Sequence, residues 1–369
     1  MKKSGWLIWG AVCLVLLSGC TLGDGSYISI TAHQSPLVTE QGEVPVASTY
    51  SELIAALSEI VSSGAETAAI NVSGYPETTL ERGAQAAVDH VLEYDPVAAY
   101  AVETMTCELG TNVGQPALAV SITYFHSKTE IQRIRRVKDA EAAQRVIGQA
   151  LENFDASVVL LIENFEQRDY TQMALDYALD HPDTVMETPQ ITETLYGQDS
   201  SRVVELLFSY QNSRDALRRM LTQVTPVFDS AALYVSGDDA QRQKFSQLYA
   251  FLMERFDYKI ETSLTPAYSL LRHGVGDSRA FASVYAAMCR SAGLDCQVVT
   301  GTRNGEPWTW NLVVDEGTHY HVDLLRSLEQ GDFREYRSWE MEDYVWDYSA
   351  YPDWGGAVNP NPQAPEPTE

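Results

Sequence analysis

Positively charged residues are scarce in this chain of 369 residues. Lysine and arginine together number 25 against 51 aspartates and glutamates, which gives a formal net charge of −26 at pH 7. A surface this acidic repels phosphate backbones, so we expect no nucleic-acid partner. It also disfavours direct adsorption to anionic lipid, whereas basic peptides and cationic groups of a cell wall are compatible partners.

Cysteine is also scarce. The chain has 5 cysteines, and beyond Cys20 only Cys107, Cys289 and Cys296 remain, which is neither a disulfide framework nor a zinc-binding pattern. A disulfide between Cys289 and Cys296 is conceivable in an oxidising compartment. We expect buried structural thiols at both positions instead, because both fall on apolar faces of predicted elements.

No motif for a metal or a cofactor stands out. His319, His321 and Asp323 alternate along the chain and therefore share one face of a predicted strand. They could touch a metal ion, but no second cluster supplies further ligands. We therefore expect no metal site and no cofactor.

Long apolar runs are missing except at the N-terminus. Residues 6–17 form an apolar run, but a membrane-spanning helix needs about 20 apolar residues, so this run is too short to span a bilayer. It follows two lysines and leads into LSGC at residues 17–20, which resembles the lipobox of bacterial lipoproteins. Residues 1–19 are thus predicted to be an export signal. The resemblance implies that acylated Cys20 anchors the protein to the extracytoplasmic side of the cell membrane. The alternative is an ordinary signal peptide with an incidental cysteine.

The N-terminal half contains two similar copies. The segment AVDHVLEY at residues 87–94 matches ALDYALDH at residues 174–181, and a second match further along has nearly the same offset, 86 against 87 residues. Two matches with similar offsets indicate a duplication, which we divide into residues 49–137 and 138–224.

Hydrophobic periodicity predicts a helix, a strand, a helix and two strands in each copy, so the duplicated region is expected to be α/β. Before it, residues 20–48 are expected to be a tether. After the last unit, the Pro-rich residues 354–369 are expected to be a disordered tail. The predicted elements are 51–61, 68–72, 78–92, 100–107 and 117–125 in the first copy, and 140–151, 158–162, 171–179, 185–196 and 203–210 in the second.

The few basic residues of the duplicated region are clustered. Arg133, Arg135 and Arg136 lie near the end of the first copy, and Arg214, Arg218 and Arg219 lie near the end of the second. We interpret both clusters as solvated faces of connecting helices. The alternative is a site for an anion or a partner.

The third unit, residues 238–353, carries several motifs in a fixed order. GVG at residues 274–276 opens an amphipathic helix that ends at Gly293, and WTWN at 308–311 and YHVD at 320–323 follow on predicted strands. In this order and spacing the motifs resemble the transglutaminase-like superfamily. The resemblance implies a papain-like α+β fold for this unit.

The resemblance also places a catalytic triad. The family has a cysteine at the helix start, a histidine on the next strand and an aspartate on the strand after it. This chain has Gly276 and Trp308 at the first two positions and keeps only Asp323. Glycine has no side chain to attack with, and indole nitrogen cannot act as a base near neutral pH. We therefore expect no catalytic residues, and a binding or scaffolding module instead.

The expected ligand of this module is a peptide, a cell-wall polymer or another surface protein. Its groove would include Trp308, Asp323, Asp277 and Ser278. Trp308 could fill the pocket left by the missing cysteine, or its ring could stack on a ligand. Asp277 and Ser278 are both candidates for the cap of the following helix.

The alternative function is an active thiol hydrolase, protease or acyltransferase with a relocated nucleophile. Cys289 lies 13 positions beyond Gly276 on the same helix, which corresponds to a rise of ~20 Å. Cys296 enters a strand that is expected to be buried. Another possibility is that the duplicated region carries the function and the third unit only packs against it.

Overall fold

The computed structural model describes residues 44–112, 114–259, 263 and 265–347. The predicted signal peptide, Cys20, most of the tether and the predicted tail lie outside the described residues. Helices combine with mostly antiparallel sheets, which confirms the predicted α+β class. No helix of the described residues is both long enough and apolar enough to cross a bilayer.

The first unit has helices packed on a three-stranded antiparallel sheet of order β1-β3-β2. Thr49 and Glu52 form a capping box that begins the first helix, and Gly64, with a φ of 67°, ends it. The elements are α1 Tyr50–Ser63, β1 Thr67–Asn71, α2 Glu77–Tyr94, α3 Pro96–Ala101, β2 Val102–Asn112, β3 Gln115–Tyr124 and α4 Lys128–Gln132.

The second unit repeats this arrangement around a sheet of order β4-β5-β7-β6. Strand β4 lies parallel to β5. In the first unit, Val46 forms an isolated parallel bridge with Asn71 of β1 at the equivalent place. The equivalent strands follow the same order in both sheets, which is compatible with the predicted duplication. The elements are β4 Arg135–Val137, α5 Ala140–Glu152, β5 Ser157–Ile162, α6 Tyr170–Asp180, β6 Gln190–Tyr196, β7 Arg202–Ser209 and α7 Arg214–Tyr234.

Both faces of the second sheet are covered. Leu160 and Ile162 pack with the helices of their own unit, whereas Leu161, between them, joins the core of the first unit. Because successive side chains point to opposite faces, a strand between two cores needs a continuous apolar run. This explains the sequence VVLLI at residues 158–162.

The third unit is built around helix α10, which is buried from Ser278 to Cys289 apart from Arg279. It packs on an antiparallel sheet of order β12-β11-β10-β13. The elements are α8 Gln241–Met253, β8 Asp257–Tyr258, α9 Pro266–His273, β9 Val275–Gly276, α10 Ser278–Ser291, β10 Cys296–Arg303, β11 Glu306–Asp315, β12 Thr318–Val322, α11 Leu324–Gln330, a 3-10 turn Ser338–Glu340 and β13 Tyr344–Trp346.

Two predicted strands differ from the observed elements. The strand expected at residues 100–107 begins only at Val102, because Pro96 at the first helical position and the Asp95 cap start helix α3 before it. The strand expected at residues 185–196 begins only at Gln190.

Helix α7 crosses the predicted end of the second copy. It runs unbroken through residue 224, and its apolar residues Leu217, Val224, Phe228 and Ala231 join the core of the third unit. By its packing this helix therefore belongs to the third unit, which begins before the predicted residue 238.

Candidate functional site

Gly276, where the family resemblance predicts a nucleophile, lies just before α10. It is buried and pairs with Tyr258 across the short sheet of β8 and β9. A Cβ atom at this position would lie 2.9 Å from Cβ of Ala280 and 3.2 Å from Cβ of Leu270. The cavity beside it has a volume of about 10 Å³. The surroundings are therefore packed closely around a residue without a side chain.

The start of α10 is capped by Asp277 and not by Ser278. The carboxylate of Asp277 accepts a hydrogen bond from the backbone N–H of Ala280 at 2.9 Å. Ser278 is buried, and its Oγ accepts from the backbone N–H of Thr309 on β11 at 3.3 Å. The hydroxyl thus joins the helix start to the strand that carries Trp308.

Trp308 reaches Asp323 on the far side of the site. Its indole Nε1 donates to Oδ2 of Asp323 at 2.8 Å. The ring of Tyr258 lies 5.9 Å from the indole, centroid to centroid, and Cζ of Arg303 lies 5.4 Å from the indole centroid. The half-buried indole therefore fills the space between Asp323 and the strand that pairs with Gly276.

Asp323 is buried and both of its oxygens accept hydrogen bonds. Oδ1 accepts from the backbone N–H groups of Leu325 and Arg326, at 3.0 and 3.2 Å, and so begins helix α11. Oδ2 accepts from Trp308 and from the hydroxyl of Tyr344 at 2.5 Å. Burial and the charge of Asp323 raise the pKa of Tyr344 strongly, so its hydroxyl stays a donor.

His321 belongs to a separate buried cluster. Its Nδ1 accepts from the indole Nε1 of Trp310 at 2.9 Å, and its ring packs edge-on against Trp346. Burial lowers the pKa of His321 to about 3, so the imidazole is neutral. In the part of the chain that the structure describes, no group of His, Cys, Asp and Glu side chains is arranged to hold a metal ion.

The thiols of the third unit lie in its core. Cys289 and Cys296 are both buried and form no disulfide, and their side chains contact each other where α10 ends and β10 begins. Burial raises the pKa of Cys289 well above its usual value. Cys107, in the first unit, is half-buried, and burial raises its pKa to about 11.

The predicted groove residues thus fall into two groups. Trp308 and Asp323 are bonded directly, whereas Asp277 and Ser278 lie at the helix start beside them. Sequence reasoning missed Arg303, which lies over the indole and 3.9 Å from Asp323. No pattern distinguishes this arginine in the sequence, since its role depends on the pairing of β10 with β11 and β13.

A comparison with family models matches residues 229–340 to the transglutaminase-like superfamily. These residues form a transglutaminase-like domain. The matched segment begins within α7, in agreement with the packing of that helix onto the third unit. A comparison with curated proteins found no match.

Solved structures with some similarity are transglutaminase-like or protease-like. A candidate cysteine protease from Cytophaga hutchinsonii is 14% identical, with a TM-score of 0.26, over 40% of this chain and 65% of that one. A structure described as a TGase is 8% identical, with a TM-score of 0.25, over 60% of this chain and 79% of that one. A candidate protease from Parabacteroides distasonis is 9% identical, with a TM-score of 0.23, over 69% of this chain and 39% of that one.

Proposed function

We propose that this is a lipid-anchored extracytoplasmic protein whose transglutaminase-like domain binds a peptide or a cell-wall polymer without cleaving it. The observation that carries the proposal is the hydrogen bond from Trp308 Nε1 to Asp323. In a working triad this carboxylate would orient a histidine base. Here it receives an indole N–H, which donates and never accepts a proton.

The nucleophile position supports the same proposal. Covalent catalysis of acyl transfer needs a thiol, hydroxyl or amine beside a base. Gly276 offers none, and the close approach of Ala280 and Leu270 leaves no space for another side chain to take its place. The hydroxyl of Ser278 is buried against β11 and accepts a backbone N–H, so it is not presented to a substrate.

A binding role is supported by the side chains around Trp308. The half-buried indole lies next to Tyr258, which is 40% exposed, and to the guanidinium of Arg303. Trp, Tyr and Arg are the residues that most often dominate binding surfaces, because they combine apolar area with hydrogen-bond donors. A peptide side chain or a sugar ring could stack on the exposed part of Tyr258.

Binding and turnover can be tested together on the full chain. Purified cell-wall polymer and a peptide library are incubated with the protein, and both retention and release of new amines are measured. We expect retention without release, and we expect Tyr258→Ala to weaken retention about tenfold. Trp339→Ala is the matched control, because Trp339 is 68% exposed and lies on the 3-10 turn. Amine release that disappears in Asp323→Asn would show an enzyme instead.

The membrane anchor is tested separately. Lipidation of Cys20 predicts that the protein is found in the membrane fraction and carries a fatty acyl label. Cys20→Ser is expected to abolish the label, whereas Cys13→Ser, within the predicted signal, leaves it unchanged. Labelling of the Cys20→Ser variant at the wild-type level would contradict the proposal.

A further inference from the structure

A second cleft lies between the two α/β units, away from the transglutaminase-like domain. Its volume is about 690 Å³, which is within the range of sites for small organic ligands. Its walls come from both units, with α3 and α4 on one side and α5, β5 and β7 on the other. The residues after α4 and the start of α7 close its rim.

Three arginines of the predicted basic clusters meet at this cleft. Arg133 follows α4, Arg135 lies in β4, and Arg214 begins α7. The expectation of solvated helix faces is therefore wrong for Arg135, which lies in a strand. Its neighbour Arg136 faces a different, smaller cavity, as the alternation of a strand requires. A chain with only 25 basic residues thus brings three of them to one cleft.

Carboxylates also line the cleft, but each is held by a neighbour. Glu130 accepts from the N–H and the hydroxyl of Ser127, both at 2.7 Å. Asp155 pairs with Arg214 at 2.8 Å, and Glu205 accepts from the hydroxyl of Tyr196 at 3.0 Å. These bonds hold the three carboxylates in place and use part of their capacity to accept hydrogen bonds.

The guanidinium groups of Arg133 and Arg135 are the uncommitted charges. Both side chains are exposed, and within the described residues neither guanidinium has a hydrogen bond or an ion pair of its own. Arg133 is close enough to Glu130 to help lower the pKa of that carboxyl, after the larger effect of the Ser127 hydrogen bonds. A planar guanidinium with free donors is well suited to bind a carboxylate through two hydrogen bonds.

The remaining wall is apolar and aromatic. Val146, Val159 and the 45% exposed Leu207 line it, and His126 stacks on Tyr100 with ring centroids 4.0 Å apart. A densely charged polyanion would meet three carboxylates and this apolar wall, so the cleft fits it poorly. A ligand with separated carboxylates and some apolar surface fits both features.

We propose that this cleft binds an acidic peptide segment, with its carboxylates on Arg133 and Arg135 and its apolar part against Leu207 and the Tyr100–His126 stack. The site is independent of the one around Trp308. The acidic peptide at this cleft is negatively charged, whereas the acidity of the whole chain favours positively charged partners.

Calorimetric titration of the full chain with defined peptides tests the proposal. Ala-Glu-Ala-Glu is expected to bind with a dissociation constant between micromolar and millimolar, and Ala-Gln-Ala-Gln at least about tenfold more weakly. The double variant Arg133→Gln/Arg135→Gln is expected to lose about tenfold or more in affinity for the acidic peptide. Affinity should also fall as salt is raised, because the charges are exposed and screened.

The matched control is Arg218→Gln/Arg219→Gln. It removes the same charge from exposed positions on α7 that do not line the cleft, and it should leave affinity unchanged within about twofold. Equal losses in both double variants would overturn the proposal, as would tighter binding of inorganic phosphate than of the peptide, or no peptide binding at millimolar concentration. Tyr258→Ala should not change this titration, so failure here and failure of the proposed function are distinguishable.

Discussion

At the scale of single residues, Gly276 and Trp308 differ from the residues that the family resemblance predicts, and each is held by its own neighbours. Gly276 is enclosed by Ala280 and Leu270, and Trp308 is bonded to Asp323. A cysteine at 276 would meet packed neighbours, and a histidine at 308 would leave the volume of the indole unfilled.

The packing around Gly276 predicts that Gly276→Ala destabilises the protein. An added methyl group would have to displace the backbone-attached Cβ atoms of Ala280 and Leu270, which should cost about 1–3 kcal/mol in free energy of unfolding. The measurement is urea unfolding followed by circular dichroism. Gly110→Ala is the control, since a Cβ at Gly110 meets nothing within 4 Å. A Gly276→Ala variant as stable as this control would contradict the packing.

Neutral His321 makes stability depend on pH. An unfolded histidine has a pKa near 6.5, whereas the folded pKa is about 3. Below pH 6.5 the unfolded chain binds a proton that the folded chain does not, so stability is lost as pH falls towards 3. The loss should be about 2 kcal/mol between pH 6 and pH 4.

This dependence is measured by comparing denaturant unfolding of wild type and His321→Gln at several pH values. The variant keeps an acceptor for Trp310, but its free energy of unfolding should fall less steeply than that of wild type as the pH is lowered. His273→Gln, which changes an exposed histidine, is the control variant. The same slope in His321→Gln as in wild type would assign the dependence to other groups.

The buried thiols predict low reactivity. In the native protein at neutral pH, iodoacetamide should label Cys289 and Cys296 far more slowly than a small-molecule thiol, because both sulfur atoms are buried and burial also disfavours the thiolate of Cys289. Cys107 should also be slow, since its pKa is about 11. Mass spectrometry of the labelled peptides gives the rates, with the protein in denaturant as the control. Rapid native labelling of Cys289 or Cys296 would favour the alternative of a relocated nucleophile.

The sequence predicted the participants of the site better than their contacts. The family resemblance singled out Gly276, Trp308 and Asp323, and hydrophobic periodicity predicted the helix and the strands next to which they lie. The bond from Trp308 to Asp323 depends on one indole rotamer, and the cap of α11 depends on where β12 ends. These are tertiary details that local patterns do not encode.

At the scale of elements, side-chain caps begin most helices of the described residues. Thr49 with Glu52 and Ser127 with Glu130 form capping boxes, whose sequence signal is Thr or Ser followed three residues later by Glu. The two-residue strands β8 and β9 carry no such signal, because they exist only through their mutual pairing. The strand expected from Tyr100 overlaps the end of helix α3, because the 6 residues of this helix are too few to show a helical period in the sequence.

The cap of α3 can be tested directly. Asp95 accepts from the backbone N–H groups of Val97 and Ala98, at 2.8 and 3.0 Å. Asp95→Ala should lower the free energy of unfolding by about 1 kcal/mol. Asp89→Ala, which removes an exposed carboxylate bonded only to Gln85 one turn away, should change it by less than about 0.5 kcal/mol. Similar effects of the two changes in thermal unfolding would show that the cap contributes little.

At the scale of the whole molecule, the three units are joined through shared elements of their cores. One face of the second sheet packs into the core of the first unit, and its other face packs into the core of the second unit. Helix α7 continues from the second unit into the core of the transglutaminase-like domain. Helix α10 also contacts α6, and Arg290 donates to the backbone carbonyl of Asp180. The cleft between the units and the site around Trp308 are therefore on one connected body.

This continuity predicts where the transglutaminase-like domain can be cut. A fragment of residues 213–369 retains α7, whose Leu217, Val224 and Phe228 are buried against α9 and α10. A fragment of residues 238–369, which begins at the boundary expected from the sequence, lacks these side chains. Each large apolar side chain removed from a core costs on the order of 2–5 kcal/mol, comparable to the stability of a whole domain.

We therefore expect the longer fragment to unfold cooperatively on heating and the shorter one to show no cooperative transition. Differential scanning calorimetry and near-ultraviolet circular dichroism would measure the difference. Phe228→Ala in the longer fragment separates the effect of packing from that of length, and Leu233→Ala is its control, because Leu233 on the same helix is 87% exposed. If the two fragments melted alike, α7 would be a connecting helix only. If they differ and Phe228→Ala lowers the melting temperature while Leu233→Ala does not, the domain begins within α7.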